Sequence, residues 1–195
     1  EFAYRLSILM DPLTLDDYRQ LLETTGGQAD TTRCQRLIKE LEDKLIFGNQ
    51  WWFRHEKIQS FIEHQLKPEL QMTYHKAAAA FFEEKLKAQK GIAFSELRSL
   101  SYHCHMGAKE SAEWEKSLEL NSGLAERAFD KGSLDVAEEC YLRAEEAARK
   151  LRDEEQAMAS RGNMASVYKV WGRIEEAEKI NNNTLQYYKG KERKK

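Results

Sequence analysis

The segment LAERAFDKGSLDVAEECYLRAEEAARK, residues 124–150, places a helix-like pattern on each side of one glycine, Gly132. The small and apolar positions of the two patterns are Leu124, Ala125, Ala128, Ala137, Tyr141 and Ala144. Such spacing puts small side chains on one face of each helix, which lets two antiparallel helices approach closely while the glycine makes the turn. The segment therefore predicts a helical hairpin, with Tyr141 filling the gap to a neighbouring hairpin.

The same pattern returns around Gly172, 40 residues after Gly132. Its matching residues are Met164, Ala165, Tyr168 and Ala177. The two copies resemble tetratricopeptide repeats, helical hairpins with a period of about 34 residues, so longer helices or linkers are expected here. Asn181 and Thr184 replace the aromatic residue and the alanine of the pattern, which indicates a degenerate or terminal copy. A weaker, earlier copy would include Leu97, Leu100, His103, Gly107, Ala112 and Trp114.

The first third of the chain has a different organisation, with three predicted helices followed by a β-hairpin. Helical spacing covers residues 3–10, then a helix capped by Thr14, then a helix that begins at Asp30 or Thr31. Two short β-prone runs, LIF and WWF, surround the turn-forming residues 48–50. This order of elements is that of a winged helix, in which the hairpin is the wing.

We therefore predict a mostly α fold in three parts. A winged-helix-like domain covers residues 1–66, a connecting helix lies within 67–93, and tetratricopeptide-like repeats over 94–195 form an α-superhelix of antiparallel hairpins. The connecting part contains a long helix from about Glu69 to Lys87. Only 2 prolines and 10 glycines interrupt the 195 residues, which favours long helices.

Composition excludes several classes of protein. The chain is 41% hydrophobic and 33% charged, and its apolar runs fall far short of the roughly 20 residues needed to cross a bilayer. Its three cysteines stand far apart without a CxxC spacing, which is typical of reduced thiols. We therefore expect a cytoplasmic protein that does not enter a membrane.

Three short motifs, FRHEKI, HKAAAAFF and LSYH, follow one another between residues 53 and 103. Their characteristic residues are Phe53, His55, Ile58, His75, Ala79, Phe82, Leu100, Tyr102 and His103. Their order resembles the region after the nucleotide-binding core of STAND ATPases, the class that includes NACHT and NB-ARC proteins. In that class a winged helix leads into a superhelical repeat array.

By this resemblance, the parent protein is a signalling or defence switch in which a P-loop ATPase domain precedes the present region. The repeats would then sense a ligand or a partner. The chain itself contains no GxxxxGK[ST] motif, so we expect it neither to bind nor to hydrolyse ATP and to need no cofactor. The expected partners are a protein or peptide and the ATPase domain of the same parent chain.

No cluster of reactive side chains predicts catalysis. His103, Cys104 and His105 are the densest group of metal-capable residues, but alternate residues on a helix point about 200° apart and do not converge on one ion. Neither Cys104 nor Cys140 has a recognisable orienting group that would make it a nucleophile. We therefore expect no enzyme activity and no metal site.

A winged helix raises a DNA-binding alternative, in which the chain is a transcription regulator. The third helix would carry Arg33, Arg36 and Lys39 toward a major groove. Residues 1–66 nevertheless hold eight Lys or Arg against eleven Asp or Glu, a net charge of −3. Repulsion from phosphates would outweigh attraction, so nucleic acid is the less favoured partner.

The expected partner surface is the concave face of the repeats, lined by the first helix of each hairpin. The packing positions leave six residues of these helices for that wall: Asn121, Arg127, Lys131, Arg161, Tyr168 and Lys169. Their basic and amide character favours an acidic or backbone-rich partner. The sequence thus predicts a region for regulatory protein-protein interaction.

Overall fold

The computed structural model describes residues 14–24, 31–44, 61–62, 64–88 and 93–192 of the chain. Eight α-helices lie within these ranges and no strand does, which confirms the predicted mostly α class. The helices are α1 (Leu15–Thr24), α2 (Thr31–Asp43), α3 (Pro68–Ala88), α4 (Phe94–Gly107), α5 (Ser111–Asp130), α6 (Leu134–Lys150), α7 (Glu154–Val170) and α8 (Ile174–Glu192). The chain divides into two compact units, residues 1–107 with α1 to α4 and residues 108–195 with α5 to α8.

The start of α1 follows from the threonine that precedes it, as the sequence predicts. The backbone N–H of Asp17 donates to Thr14 Oγ1 at 3.2 Å, and the Thr14 N–H donates to Asp17 Oδ2 at 3.1 Å. This reciprocal arrangement satisfies two backbone donors at the start of the helix. The predicted helix over residues 3–10 and the predicted turn at 48–50 lie outside the described residues.

Helices α3 and α4 pack together in the first unit, and α3 is the predicted long helix. A proline begins α3, where its missing N–H needs no partner. A Cβ added to Gly107 would lie 3.1 Å from the Lys76 backbone nitrogen, so a side chain there would press against α3. Lys85 Nζ lies 3.0 Å from the Asp17 carboxylate and 3.4 Å from Glu96 Oε1. This lysine links α1, α3 and α4.

The second unit is a row of antiparallel helices joined by three-residue turns at 131–133, 151–153 and 171–173. Its helices approach closely through alanine: Ala137 and Ala144 are fully buried, as their spacing predicts. Helices α6 and α7 each contain 17 residues. The 40-residue displacement between the two copies therefore comes from long helices and not from long linkers.

The boundary between the two units lies within the range predicted for the repeats, residues 94–195. Helix α4 belongs to the first unit, and the boundary follows Gly107. The predicted connecting helix is also part of a core, because Ala78 and Phe81 of α3 are 0% and 1% exposed. The described part of the first unit is therefore a helical core that includes α3 and α4.

All three turns of the second unit place one residue in the left-handed conformation: Gly132 at φ 75°, Arg152 at φ 61° and Gly172 at φ 82°. In each turn the next N–H donates to a carbonyl five residues back, as from Ser133 to Ala128 O at 2.9 Å. This is the Schellman motif, in which glycine avoids the steric cost that a Cβ adds at the left-handed position.

Arg152→Gly is expected to raise the free energy of unfolding of the second unit by about 0.5 to 1 kcal/mol, because it removes that steric cost. Gly132→Ala and Gly172→Ala are the matched opposites and are expected to lower it by a similar amount. A Cβ at either glycine meets open space, so the cost there is conformational alone. Urea unfolding followed by circular dichroism measures all three variants. A less stable Arg152→Gly protein would contradict this account of the turn.

Candidate functional site

Two of the three short motifs between residues 53 and 103 meet in one buried cluster of the first unit. The Nδ1 atoms of His75 on α3 and His103 on α4 lie 2.9 Å apart. The His103 ring also stacks on Phe82 with 5.7 Å between ring centres, and Tyr102 meets the His75 ring edge-on at 5.6 Å. These motif residues are thus packing residues of the α3–α4 pair. The remaining motif, residues 53–58, lies outside the described residues.

The histidine pair requires at least one neutral ring. One Nδ1 donates its proton and the other accepts through a lone pair, so the accepting ring is neutral. Burial lowers the pKa of His75 to about 4, since a charged imidazole would lose its hydration there. His75 and His103 are 2% and 0% exposed. The pair is closed to solvent and holds the two helices together.

His103, Cys104 and His105 do not form a metal site. All three are buried within α4, and His103 is directed to His75 of α3. In the part of the chain that the structure describes, no group of three or more His, Cys, Asp or Glu could hold a metal ion. The three cysteines of the chain are all buried.

A cleft of about 310 Å³ opens in the second unit, with residues of α6, α7 and α8 around it. Met164 of α7 is buried beside it, and Leu142 of α6 and Ile180 of α8 supply apolar walls. Leu142 is 47% exposed, although it is a large apolar side chain. Lys179 and Asn183 add polar groups. Glu145, Arg161, Arg173 and Glu176 also border the cleft, so charged groups surround a small apolar centre. We call this site the α6–α8 cleft.

A charge network joins α6, α7 and the α7–α8 turn at the cleft. The Tyr168 O–H donates to Glu138. Arg173 lies 3.0 Å from the same carboxylate and 2.7 Å from Glu176, and its guanidinium stands 4.0 Å from the centre of the Tyr168 ring. Burial, with the hydrogen bond to Glu138, raises the pKa of Tyr168 to about 12. The phenol is therefore protonated at neutral pH and remains a donor.

A second network lies around Glu145. Arg161 Nε is 2.7 Å from Glu145 Oε1, and Arg149 Nη2 is 2.9 Å from the same oxygen. Glu145 is 8% exposed, and two guanidinium groups compensate its buried charge. Arg161 is thus already paired within the protein, which argues against a role in attracting an acidic partner.

Two of the six residues predicted for the partner surface border the α6–α8 cleft. Arg161 and Tyr168 line the α6–α8 cleft. Arg127, Lys131 and Lys169 are exposed and lie outside its lining. The structure therefore brings two of the predicted residues to one cleft.

Asn121 corrects the sequence prediction. Its side chain is fully buried in α5, and its Nδ2 donates to the Ser117 carbonyl at 2.9 Å. A buried amide that is held by its own helix offers no contact to a partner. Helical spacing alone had left this polar residue on the solvent side.

Sequence reasoning also missed the second helix of each hairpin, α6 and α8, which supply Leu142, Lys179, Ile180 and Asn183 to the cleft. The prediction considered only the first helices. Leu142 carried an available signal, since it is apolar and yet lies outside the packing set of Ala137, Tyr141 and Ala144.

A second depression, of about 570 Å³, lies along α5 and the α6–α7 turn. It borders the first helices, as the predicted wall would, but its charged residues are the acidic Glu115, Glu119 and Asp153. It therefore lacks the basic character expected of that wall. The α6–α8 cleft, which combines Leu142, Met164 and Ile180 with basic and acidic side chains, is the stronger candidate site.

Comparison with protein-family models, with curated proteins and with solved structures found no match to this chain. Among the described helices, none combines the length and the apolar character that crossing a membrane requires. The geometry of the α6–α8 cleft is therefore the main guide to function.

Proposed function

We propose that the second unit binds protein, and that its α6–α8 cleft holds a short segment of the partner. The observation that carries this proposal is the exposed Leu142 in a cleft that also contains the apolar side chains of Met164 and Ile180. Covering such a residue is favourable by roughly 25 cal/mol for each Å² of apolar surface removed from water. A partner side chain in the cleft would provide this cover.

The chemistry of the cleft favours one apolar side chain flanked by polar groups. Arg161 is paired with Glu145, and Arg173 is paired with Glu176, so neither sign of charge dominates. The amide of Asn183 has both donors and an acceptor for a peptide backbone. We therefore replace the acidic partner of the sequence prediction by a segment with an apolar anchor.

Leu142→Asp is expected to weaken peptide binding at least about tenfold, because it puts a charge beside the apolar lining. Peptides selected from a random library on the 195-residue chain provide the ligands, and fluorescence anisotropy measures their affinity. Leu142 is half exposed, so circular dichroism should show an unchanged fold.

Val170→Asp is the matched control, because Val170 is 63% exposed and lies outside the lining of the cleft. Charge reversal at Arg127 or Lys169 is a second control, and both kinds of variant should bind as the parent chain does. Selected peptides that bind equally well to Leu142→Asp would place the binding site elsewhere.

We infer further that the chain is the regulatory region of a STAND-type signalling or defence ATPase. Support comes from the sequence motifs and from the buried cluster in which His75, Phe82, Tyr102 and His103 pack together. Motifs that are separate in sequence thus belong to one helical core. Under this proposal, the repeat unit senses the partner and the ATPase domain of the parent responds.

The parent proposal requires a GxxxxGK[ST] motif in the full-length protein, since the present chain has none. Calorimetry should then detect ATP binding by the full-length protein and none by the 195-residue chain. Saturable ATP binding by the chain alone, or a full-length coding sequence without the motif, would contradict it.

A further inference from the structure

Helices α6 and α8 hold equivalent places in the two copies of the repeat, 40 residues apart. One face of α6 consists of Leu134, Glu138, Tyr141 and Glu145. Successive members are four, three and four residues apart, which places them on the same side of the helix. All of them are buried or half-buried. The equivalent face of α8 consists of Ile174, Glu178, Asn181 and Leu185. All four of these are exposed, and we call them the α8 outer face.

Helix α7 contacts the α6 face through two polar positions. Glu138 accepts from the Tyr168 O–H, and Glu145 Oε1 lies 2.7 Å from Arg161 Nε. The order of these two pairs along the helices shows that α7 runs antiparallel to α6. On the α8 outer face the equivalent positions remain open to solvent within the described ranges.

We propose that the α8 outer face binds an amphipathic α-helix of a partner protein, antiparallel to α8, as α7 binds α6. Continuity with the α6–α7 interface identifies the occupant, because the α8 outer face takes the place of the α6 face one period later. It keeps an apolar residue and a glutamate, and it has Asn181 for Tyr141 and Leu185 for Glu145. Ile174 and Leu185 are 48% and 51% exposed. They are separated by about 16 Å along the helix axis, so a partner helix of roughly three turns or more would cover both.

The chemistry of the partner helix follows from the differences between the two faces. Glu178 keeps the carboxylate of Glu138, so the partner helix presents a phenol or a guanidinium there. Leu185 stands where α6 has Glu145, so the partner helix carries an apolar residue where α7 has an arginine. The occupant is therefore a helix with the pattern of α7 in which that one charge is replaced.

The α8 outer face shares no residue with the lining of the α6–α8 cleft. Its occupant is a whole helix and not a single anchoring side chain. The two proposals can therefore fail separately.

The probe is a capped synthetic peptide with the sequence of residues 154–170, prepared in three forms: unchanged, with Arg161→Leu and with both Arg161→Leu and Tyr168→Phe. Titration into the ¹⁵N-labelled 195-residue chain gives affinity and location in one experiment. The Arg161→Leu peptide is expected to bind about tenfold more tightly than the unchanged peptide and to shift the amides around Glu178 and Leu185. The doubly changed peptide is expected to bind more weakly than the Arg161→Leu peptide.

The matched variant of the chain is Leu185→Glu, which gives α8 a glutamate at the position where α6 has Glu145. It is expected to reverse the preference, so that the unchanged peptide with Arg161 binds more tightly than the Arg161→Leu peptide. Leu185 is half exposed, so the variant should keep its fold, which circular dichroism checks.

Two outcomes would overturn the proposal. The first is equal binding of the Arg161→Leu peptide to the parent chain and to its Leu185→Glu variant. The peptide would then be replacing the chain's own α7 and not binding the α8 outer face. Absence of binding by every peptide at about 1 mM would show that this face does not take a helix of the α7 type.

Discussion

Ala137→Glu is expected to lower the free energy of unfolding of the second unit by about 3 to 5 kcal/mol. Ala137 is 0% exposed in α6. A glutamate side chain there would force the neighbouring helices apart and bury a carboxylate without a partner. Since whole domains are stable by only about 5 to 15 kcal/mol, the variant would lose a large fraction of its stability.

Thermal and urea unfolding of the 195-residue chain measure this loss. Ala159→Glu is the matched control, because Ala159 is an exposed alanine on the next helix of the same unit. It should change stability by less than about 0.5 kcal/mol. If the two variants unfold alike, Ala137 is not packed between helices and the assignment of the hairpin is wrong.

Acidification from pH 7 to pH 5 is expected to destabilise the first unit by about 2 kcal/mol through His75. Burial lowers the pKa of His75 to about 4 in the folded chain, against about 6.5 for an exposed histidine. Below pH 6.5 the unfolded chain therefore binds a proton that the folded chain does not. This contribution to stability is complete above pH 6.5 and is lost as the pH falls toward 4.

Hydrogen exchange of the α3 and α4 amides at pH 7 and pH 5, corrected for the intrinsic exchange rate, measures the effect. The second unit is an internal control, because all five histidines of the chain lie within residues 1–107. In His75→Gln, which retains hydrogen-bonding groups near His103 but does not titrate, the pH dependence should be smaller by about 2 kcal/mol. An unchanged pH dependence in this variant would show that His75 is not the group responsible.

Local patterns in the sequence were sufficient for the helical hairpins. The spacing of Ala137 and Ala144 predicted burial, and Gly132 and Gly172 predicted turns, because each signal acts within a few residues. The turn at Arg152 carried no such signal, since an arginine rarely adopts the left-handed conformation. Its geometry is recognised only from the hydrogen bonds that close the turn.

The candidate site was harder to predict because it depends on how separate helices are placed. Arg161 and Tyr168 were selected for their spacing, but their partners lie on another helix. Glu145 pairs with the charge of Arg161, and Glu138 accepts the hydrogen bond of Tyr168. The burial of Asn121 likewise reflects packing around α5 and not its own polarity. The composition of a helix face therefore indicates a candidate binding surface, whereas its accessibility to a partner is known only once the neighbouring helices are placed.

Under the proposed function, the 17-residue length of α6 and α7 limits the length of peptide that could lie along one helix. At 1.5 Å per residue, such a helix is about 26 Å long. An extended peptide advances about 3.3 Å per residue, so about eight residues laid along the helix axis would contact its full length. A segment of more than about eight residues would therefore extend beyond the helix, whereas the single anchoring side chain proposed for the cleft needs only part of that length.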